Sequence, residues 1–175
     1  MMAHILPFKG IYPTIHHTAV LADTAVIIGD VTLGPGVSIW PNAVIRGDFS
    51  AITVGAYTNI QDNVTVHSDI RTPHHIGDHV LIGHNAIIHG QSIGAGALIG
   101  MGAVLMSYSS IGENSIIGAG TIITQGKQIP ADSLVYGNPF RIIRSVTEEE
   151  KEETRKEVEA YHQLSLQYPM WKGSW

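Results

Sequence analysis

The chain has 175 residues, a formal net charge of −5 and no cysteine. This length suits one domain with a substantial core, and the acidic balance excludes the basic surface that nucleic-acid binding needs. The missing cysteines exclude disulfides and thiolate metal sites, and no run of about 18 apolar residues is long enough to span a membrane, so we expect a cytoplasmic protein with neither nucleic-acid nor membrane partners.

A six-residue repeat of aliphatic side chains runs through most of the chain. The repeated positions are Leu33, Ile39, Ile45, Val54, Ile60, Val66, Ile76, Ile82, Ile88, Ile93, Ile99, Leu105, Ile111, Ile117, Ile123, Ile129 and Val135. Neither a helix nor an alternating strand has a period of six, whereas a coil of three short strands does. The sequence therefore predicts an all-β solenoid, a parallel β-helix of hexapeptide repeats, over residues 1–146 with a short N-terminal lead-in.

Residues 147–175 are predicted to form a C-terminal helix and tail that pack on the β-helix. Thr147 and Glu150 have the spacing of a capping box, and the acidic residues of the first turn complement the helix dipole. Residues 148–157 are nearly all charged and are expected to face solvent. The expected apolar stripe of this helix consists of Val158, Tyr161, Leu164 and Tyr168.

One column of polar side chains follows from the period of the coil. Three hexads make a turn of 18 residues, so positions 18 apart stack once insertions are subtracted. The segment Val66–Ile76 is four residues longer than one hexad, so His67 and His89, 22 apart, are 18 positions apart in the repeat. Three extra residues between Ile45 and Val54 bring Arg46 to the same position one coil earlier. Arg46, His67 and His89 are therefore predicted to stack.

A second column contains Asp62 and His84, which the same subtraction also places 18 positions apart, with Gln61 beside them. One side of the coil is about 20 Å long, too far for one metal ion to bridge from within a chain. If His67, His84 and His89 share an ion, His84 must come from a neighbouring chain, as in a threefold ring. Arg46 would then meet Asp62 of that neighbour. Surface histidines, or an interface hydrogen-bond network, explain the same spacing.

Three motifs in this order resemble the γ-class carbonic anhydrases. They are "VIRGD" (44–48), "NIQDNVTVHSD" (59–69) and "IGHNAIIHG" (82–90). The resemblance covers most of the chain, including the "VYGNP" exit (135–139) and the C-terminal helix. It implies a left-handed coil and a homotrimer with a metal site at each subunit interface.

The resemblance also implies an activity, which is reversible hydration of CO2 to bicarbonate by a metal-bound hydroxide. The implied metal ligands are His67, His84 and His89, and Zn2+ is the expected ion, with Fe2+ or Co2+ also acceptable to three imidazoles. The other implied site residues are Arg46, Asp48, Gln61 and Asp62. Among these, Gln61 would bond the metal-bound water, and Arg46 would pair with Asp62 across the interface.

The chain departs from the best-characterised family pattern around the first histidine. Phe49 stands where that pattern has a glutamate, and the loop after His67 is only "SDIRTPHH". The glutamate that exports the proton is therefore missing. His74 and His75 lie in the loop and are alternative relays, unless they are simply solvated loop residues.

Two other functions remain open from the sequence. One is a metal-stabilised trimeric binding or scaffold protein with little or no hydration activity. The other is an acyltransferase, a common use of hexapeptide repeats. Against acyl transfer, the chain has no extended loop or lysine-rich patch to hold the phosphates of coenzyme A.

Overall fold

The computed structural model describes residues 3–168 of the chain. As the period of six predicts, they form a parallel β-helix of about seven coils, followed by one α-helix. The coil is left-handed, as the resemblance implies. Each coil has three short sides, and equivalent sides of successive coils stack into three faces.

The first face stacks β1 (His4–Leu6), the first halves of β4 (Val26–Leu33) and β6 (Val44–Val54), β8 (Thr65–His67), β11 (Ile87–Ile88), β14 (Val104–Leu105) and β17 (Ile122–Ile123). The second face stacks β2 (Thr14–Ile15), the second halves of β4 and β6, β9 (His74–Ile76), β12 (Ser92–Ile93), β15 (Ser110–Ile111) and β18 (Gln128–Ile129). The third face stacks β3 (Val20–Leu21), β5 (Ser38–Ile39), β7 (Asn59–Ile60), β10 (Leu81–Ile82), β13 (Leu98–Ile99), β16 (Ile116–Ile117), β19 (Ser133–Gly137) and the antiparallel β20 (Phe140–Ser145).

The aliphatic side chains of the hexads fill the interior of the coil. Their side chains are almost completely buried, from Leu33 at one end to Val135 at the other. Burial of apolar surface is the main favourable term in folding, so this continuous column stabilises every coil against the next.

Tight corners between the third and first faces set the direction of several polar side chains. Asn63 and Asn85 have φ of 60° at these corners, a left-handed conformation that asparagine tolerates better than most residues. The residue before each asparagine is Asp62 or His84, so the corner turns both side chains outward at the same edge of the prism.

The insertions are absorbed without breaking the stack. The pairing of β4 with β6 shifts between Gly29 and Val31, so the three extra residues of β6 form an irregularity in one long strand. The connection from β8 to β9 makes a small turn in which Asp69 and Thr72 pair as an antiparallel bridge.

The helix α1 (Glu148–Ser165) begins where the capping-box pattern predicts. The Thr147 hydroxyl accepts from the backbone N–H of Glu150, whose carboxylate accepts from the backbone N–H of Thr147. Within residues 3–168, no helix is long and apolar enough to cross a membrane. The predicted tail reaches residue 175, and residues 169–175 lie outside the described part of the chain.

The predicted apolar stripe of α1 is partly wrong. Val158 is buried and Tyr161 packs edge-on against Trp40, but Leu164 is 38% exposed. Leu164 is still within α1, but the face that packs on the solenoid contains Thr154, Val158 and Ser165, and Leu164 lies to one side of it. Leu166, which follows the helix, packs near Trp40. Tyr168 keeps a ring contact with Trp40 although it is 41% exposed.

Candidate metal centre

Arg46, His67 and His89 stack on the first face, as the repeat arithmetic predicts. Strand pairing aligns Arg46 with His67, and the register of β8 with β11 continues directly to His89. The two imidazoles meet, with His67 Nδ1 and His89 Nε2 3.0 Å apart. The flat strands of a parallel ladder thus bring two nitrogen ligands together from residues 22 apart in the chain.

Asp62 and His84 meet at the corner between the third and first faces, again as predicted. His84 Nδ1 lies 2.9 Å from Asp62 Oδ2. Gln61 is buried beneath them, and its Oε1 accepts a hydrogen bond of 3.1 Å from the backbone N–H of His84. The His84 side chain is about one-third exposed, so it is accessible to a neighbouring molecule.

Asp48 orients the first imidazole. His67 Nε2 donates to Asp48 Oδ1 at 2.9 Å, and Arg46 Nη1 donates to Asp48 Oδ2 at 2.5 Å. Burial opposes ionisation of Asp48, but these two hydrogen bonds outweigh it and hold the pKa of its carboxyl below the ordinary value. Within one chain Arg46 therefore bonds Asp48, and its expected pairing with Asp62 of a neighbour stays a prediction.

The donor set of one chain fits part of a metal site. Two nitrogens bound to one tetrahedral zinc ion lie about 3.3 Å apart, close to the separation of His67 Nδ1 and His89 Nε2. Because Asp48 occupies Nε2 of His67, the Nδ1 lone pair is left to face His89. In the part of the chain that the structure describes, no three His, Cys, Asp or Glu side chains form a group able to hold an ion. A complete site would need a ligand from outside the chain.

Phe49 covers one side of this imidazole pair. Its ring centroid lies 5.1 Å from that of His67, and its side chain is about half exposed. An aromatic side chain thus lies beside the imidazole pair, at the position where the γ-class carbonic anhydrase pattern has a glutamate.

The two loop histidines differ from the expectation. His74 is neither solvated nor in a loop: it belongs to β9, is 1% exposed and uses Nδ1 to donate to the Gly90 carbonyl. Burial, which disfavours the charged imidazolium, lowers its pKa to about 4. His74 is therefore unsuited to relay protons near neutral pH. His75 is exposed, and its Nδ1 lies 2.6 Å from Thr53 Oγ1.

Sequence reasoning missed two side chains behind His89. His89 Nδ1 lies 3.2 Å from Ser107 Oγ and 3.4 Å from Asp69 Oδ1. Ser107 follows His89 by 18 residues, so the period of the coil could have predicted that these two residues stack. Asp69 lies in the inserted turn, whose conformation the repeat does not specify.

Models of repeat families match a large part of the chain. The bacterial transferase hexapeptide model (six repeats) matches residues 12–47 and 92–125, and the hexapeptide repeat of succinyl-transferase matches residues 73–107. The chain belongs to the hexapeptide-repeat family. This membership agrees with the observed coil and leaves the activity open, because the fold hosts several chemistries.

The names of similar proteins point to different activities. The chain is 51% identical over 145 residues to a "Probable carbonic anhydrase" of Methanocaldococcus jannaschii, covering 83% of this chain and 91% of that protein. It is 39% identical over 169 residues to protein YrdA of Escherichia coli, covering 93% and 92% of the two chains. A crystal structure of a hexapeptide transferase family protein from Anaplasma phagocytophilum superposes with a TM-score of 0.90 at 40% identity, covering 94% and 98%.

The buried state of His74 predicts a pH dependence of stability. Its pKa is about 4 in the folded chain and about 6.5 when unfolded, so the unfolded state binds more protons between these values and stability falls as pH decreases through this range. From pH 7 to pH 5 we expect the wild type to lose about 2 kcal/mol more than His74→Gln in urea unfolding. The exposed control, His75→Gln, should follow the wild type. Equal losses in the wild type and His74→Gln would contradict this prediction.

Proposed function

We propose that His67 and His89 of one chain and His84 of a neighbouring chain hold one divalent metal ion at each interface of a homotrimer. The 3.0 Å approach of His67 Nδ1 to His89 Nε2 is the observation on which this proposal depends. It gives a pair of nitrogens with nearly the separation, about 3.3 Å, of two ligands on one tetrahedral ion. Asp62 contacts Nδ1 of His84, so Nε2 of His84 is left to bind a metal ion held by His67 and His89 of a neighbouring chain.

The ion proposed for this site is Zn2+, with Fe2+ or Co2+ as alternatives that three imidazoles also accept. Such an ion would lower the pKa of a bound water from far above neutrality to about 7 and so supply hydroxide near neutral pH. The proposed reaction is the reversible hydration of CO2 to bicarbonate, and the 51% identity to the "Probable carbonic anhydrase" supports it.

Residues beside the ligands have roles in this proposal that match their contacts. Asp48 fixes the ring of His67, and Arg46 fixes Asp48. The Oε1 atom of Gln61 is engaged by the backbone of His84, so its amide nitrogen is the group that would donate to a water or bicarbonate oxygen. Asp62 orients His84, and its carboxylate is also the proposed partner of Arg46 across the interface.

Hydration of each CO2 releases a proton, and we propose that this proton leaves along α1. A groove of about 290 Å³ between the third face and the helix is lined by Gln61, His84, Glu157 and Tyr161 among others. Glu157 is exposed to solvent and lies on the wall opposite the solenoid. We assign it as the carboxylate that accepts the proton, in place of the glutamate missing at Phe49.

Metal content tests the proposed ligands. Purified wild-type protein should contain one ion per chain by elemental analysis. His67→Ala, His84→Ala and His89→Ala should each lose it, since two imidazoles bind far more weakly than three. The control His79→Ala, at a corner of the coil outside the site, should retain it. Full occupancy in His84→Ala would contradict the shared site.

Carbon dioxide hydration tests the reaction. Metal-loaded wild type should accelerate hydration in a stopped-flow pH-indicator assay, and His89→Ala should fall to the uncatalysed rate. If the wild type binds metal but hydrates CO2 no faster than this variant, the metal-stabilised scaffold becomes the better description. The ion would then stabilise the trimer without catalysing hydration.

Proton export through Glu157 predicts a buffer effect. Glu157→Gln should lower kcat about tenfold in dilute buffer, because general acid–base groups contribute at least that much to proton-transfer steps. Concentrated imidazole buffer should restore kcat, and kcat/KM should stay unchanged. Glu153→Gln, an exposed control on the same helix, should match the wild type. Loss of kcat that no buffer restores would show that Glu157 does not accept the proton.

Acyl transfer is the second candidate, supported by the transferase repeat models and the structural similarity to the Anaplasma phagocytophilum protein. If the chain used an acyl-coenzyme A, acetyl-CoA should raise its Tm, since a ligand that binds only the native state stabilises it. We expect no shift, since the chain has no lysine-rich patch for the phosphates of the cofactor. A clear rise would favour the transferase.

A further inference from the structure

Each proposed ligand has an aspartate at the ring nitrogen that faces away from the site. Asp48 contacts Nε2 of His67, and Asp62 contacts Nδ1 of His84. The third pair joins Asp69 Oδ1 to Nδ1 of His89 at 3.4 Å. A carboxylate at this position selects the tautomer and holds the ring, so that the other nitrogen presents its lone pair.

The environment of Asp69 is unusual for a carboxylate. Its side chain is only 12% exposed, and Oδ2 is buried without a hydrogen-bond partner among residues 3–168. Across those residues, its ion-pair contact is with His89, and no lysine or arginine reaches it. Burying an ionised group with so few partners costs free energy, which a positive charge placed nearby would offset.

Hydrogen bonds to the preceding coil hold the turn that contains Asp69. The hydroxyl of Ser68 is completely buried, donates to the Ser50 carbonyl at 2.7 Å and accepts from the Ser50 backbone N–H at 3.1 Å. The bridge between Asp69 and Thr72 closes the turn on the other side. The backbone therefore fixes the carboxylate at the end of β8, one coil away from His89.

The charges of the site match a divalent cation. In the proposed trimer, Asp48, Asp69 and Asp62 of the neighbouring chain would supply three negative charges, and Arg46 would supply one positive charge. Two negative charges are left in excess when the three imidazoles are neutral. An ion of charge +2 would balance them, whereas without Asp69 the site would be one negative charge short.

We propose that Asp69 is a positioning residue that orients His89 for the metal and balances the charge of the ion. This inference rests on the proposed metal centre and assigns no contact between Asp69 and substrate. Ser107 also lies near Nδ1 of His89. Its neutral hydroxyl can help to orient the imidazole but adds no charge to the site.

Metal affinity, measured by chelator competition with Zn2+ and by the visible absorption of the Co2+ form, tests this role. Asp69→Ala should weaken binding about 10–100-fold, the usual cost of losing such an outer partner. Asp69→Asn should lose less, because its amide oxygen keeps a polar atom beside Nδ1 of His89 and only the charge is removed. Without metal, neither variant should unfold at a lower Tm than the wild type, since each removes a poorly compensated buried charge. Glu153→Gln, which removes an exposed carboxylate, should change neither quantity.

The outcomes separate this inference from the proposed function. If the wild type binds the ion and Asp69→Ala binds it equally well, Asp69 has no positioning role and the metal centre stands. If Asp69→Ala and Asp69→Asn both lower the metal-free Tm and leave the Co2+ spectrum unchanged, Asp69 is a structural residue of the turn. If the wild type binds neither Zn2+ nor Co2+, the metal centre fails and this inference fails with it.

Discussion

The stacking of one coil on the next is the constraint on which the rest of the molecule depends. Parallel strands about 4.8 Å apart bring equivalent residues of neighbouring coils into contact, whatever separates them in sequence. The same ladder that buries the aliphatic hexads places His67 beside His89 and Asp62 beside His84. Core and candidate site are therefore products of one register, and a shift by one residue would lose both.

The prism shape explains why one chain alone cannot supply all three ligands of the proposed metal site. A side of the coil separates the corner of His84 from the column of His67, so a single chain offers two imidazoles at one place and the third at another. A threefold arrangement of identical prisms can join them, because each copy presents both features. In this view, metal binding and assembly support each other, since an ion with ligands from two chains adds its binding free energy to the interface.

The regular part of the molecule was predictable from the sequence, and the irregular parts were not. A period of six with inward aliphatic residues specifies the coil, and counting along it locates Arg46, His67 and His89 correctly. The burial of His74 and the position of Asp69 depend on an inserted turn held by Ser68 and Ser50, which the repeat does not describe. The exposure of Leu164 depends on which face of α1 packs on the solenoid. That face includes Thr154 and Ser165, two small polar residues that the apolar pattern did not mark as buried.

Mixed trimers test the shared site most directly. His84→Ala keeps the pair His67 and His89, while His67→Ala keeps His84, so each variant lacks what the other retains. Neither variant alone should bind metal, but trimers assembled from an equal mixture of the two should recover about a quarter of the wild-type content if chains combine at random. An absence of recovered metal in trimers shown to contain both chains would contradict a site built from two subunits.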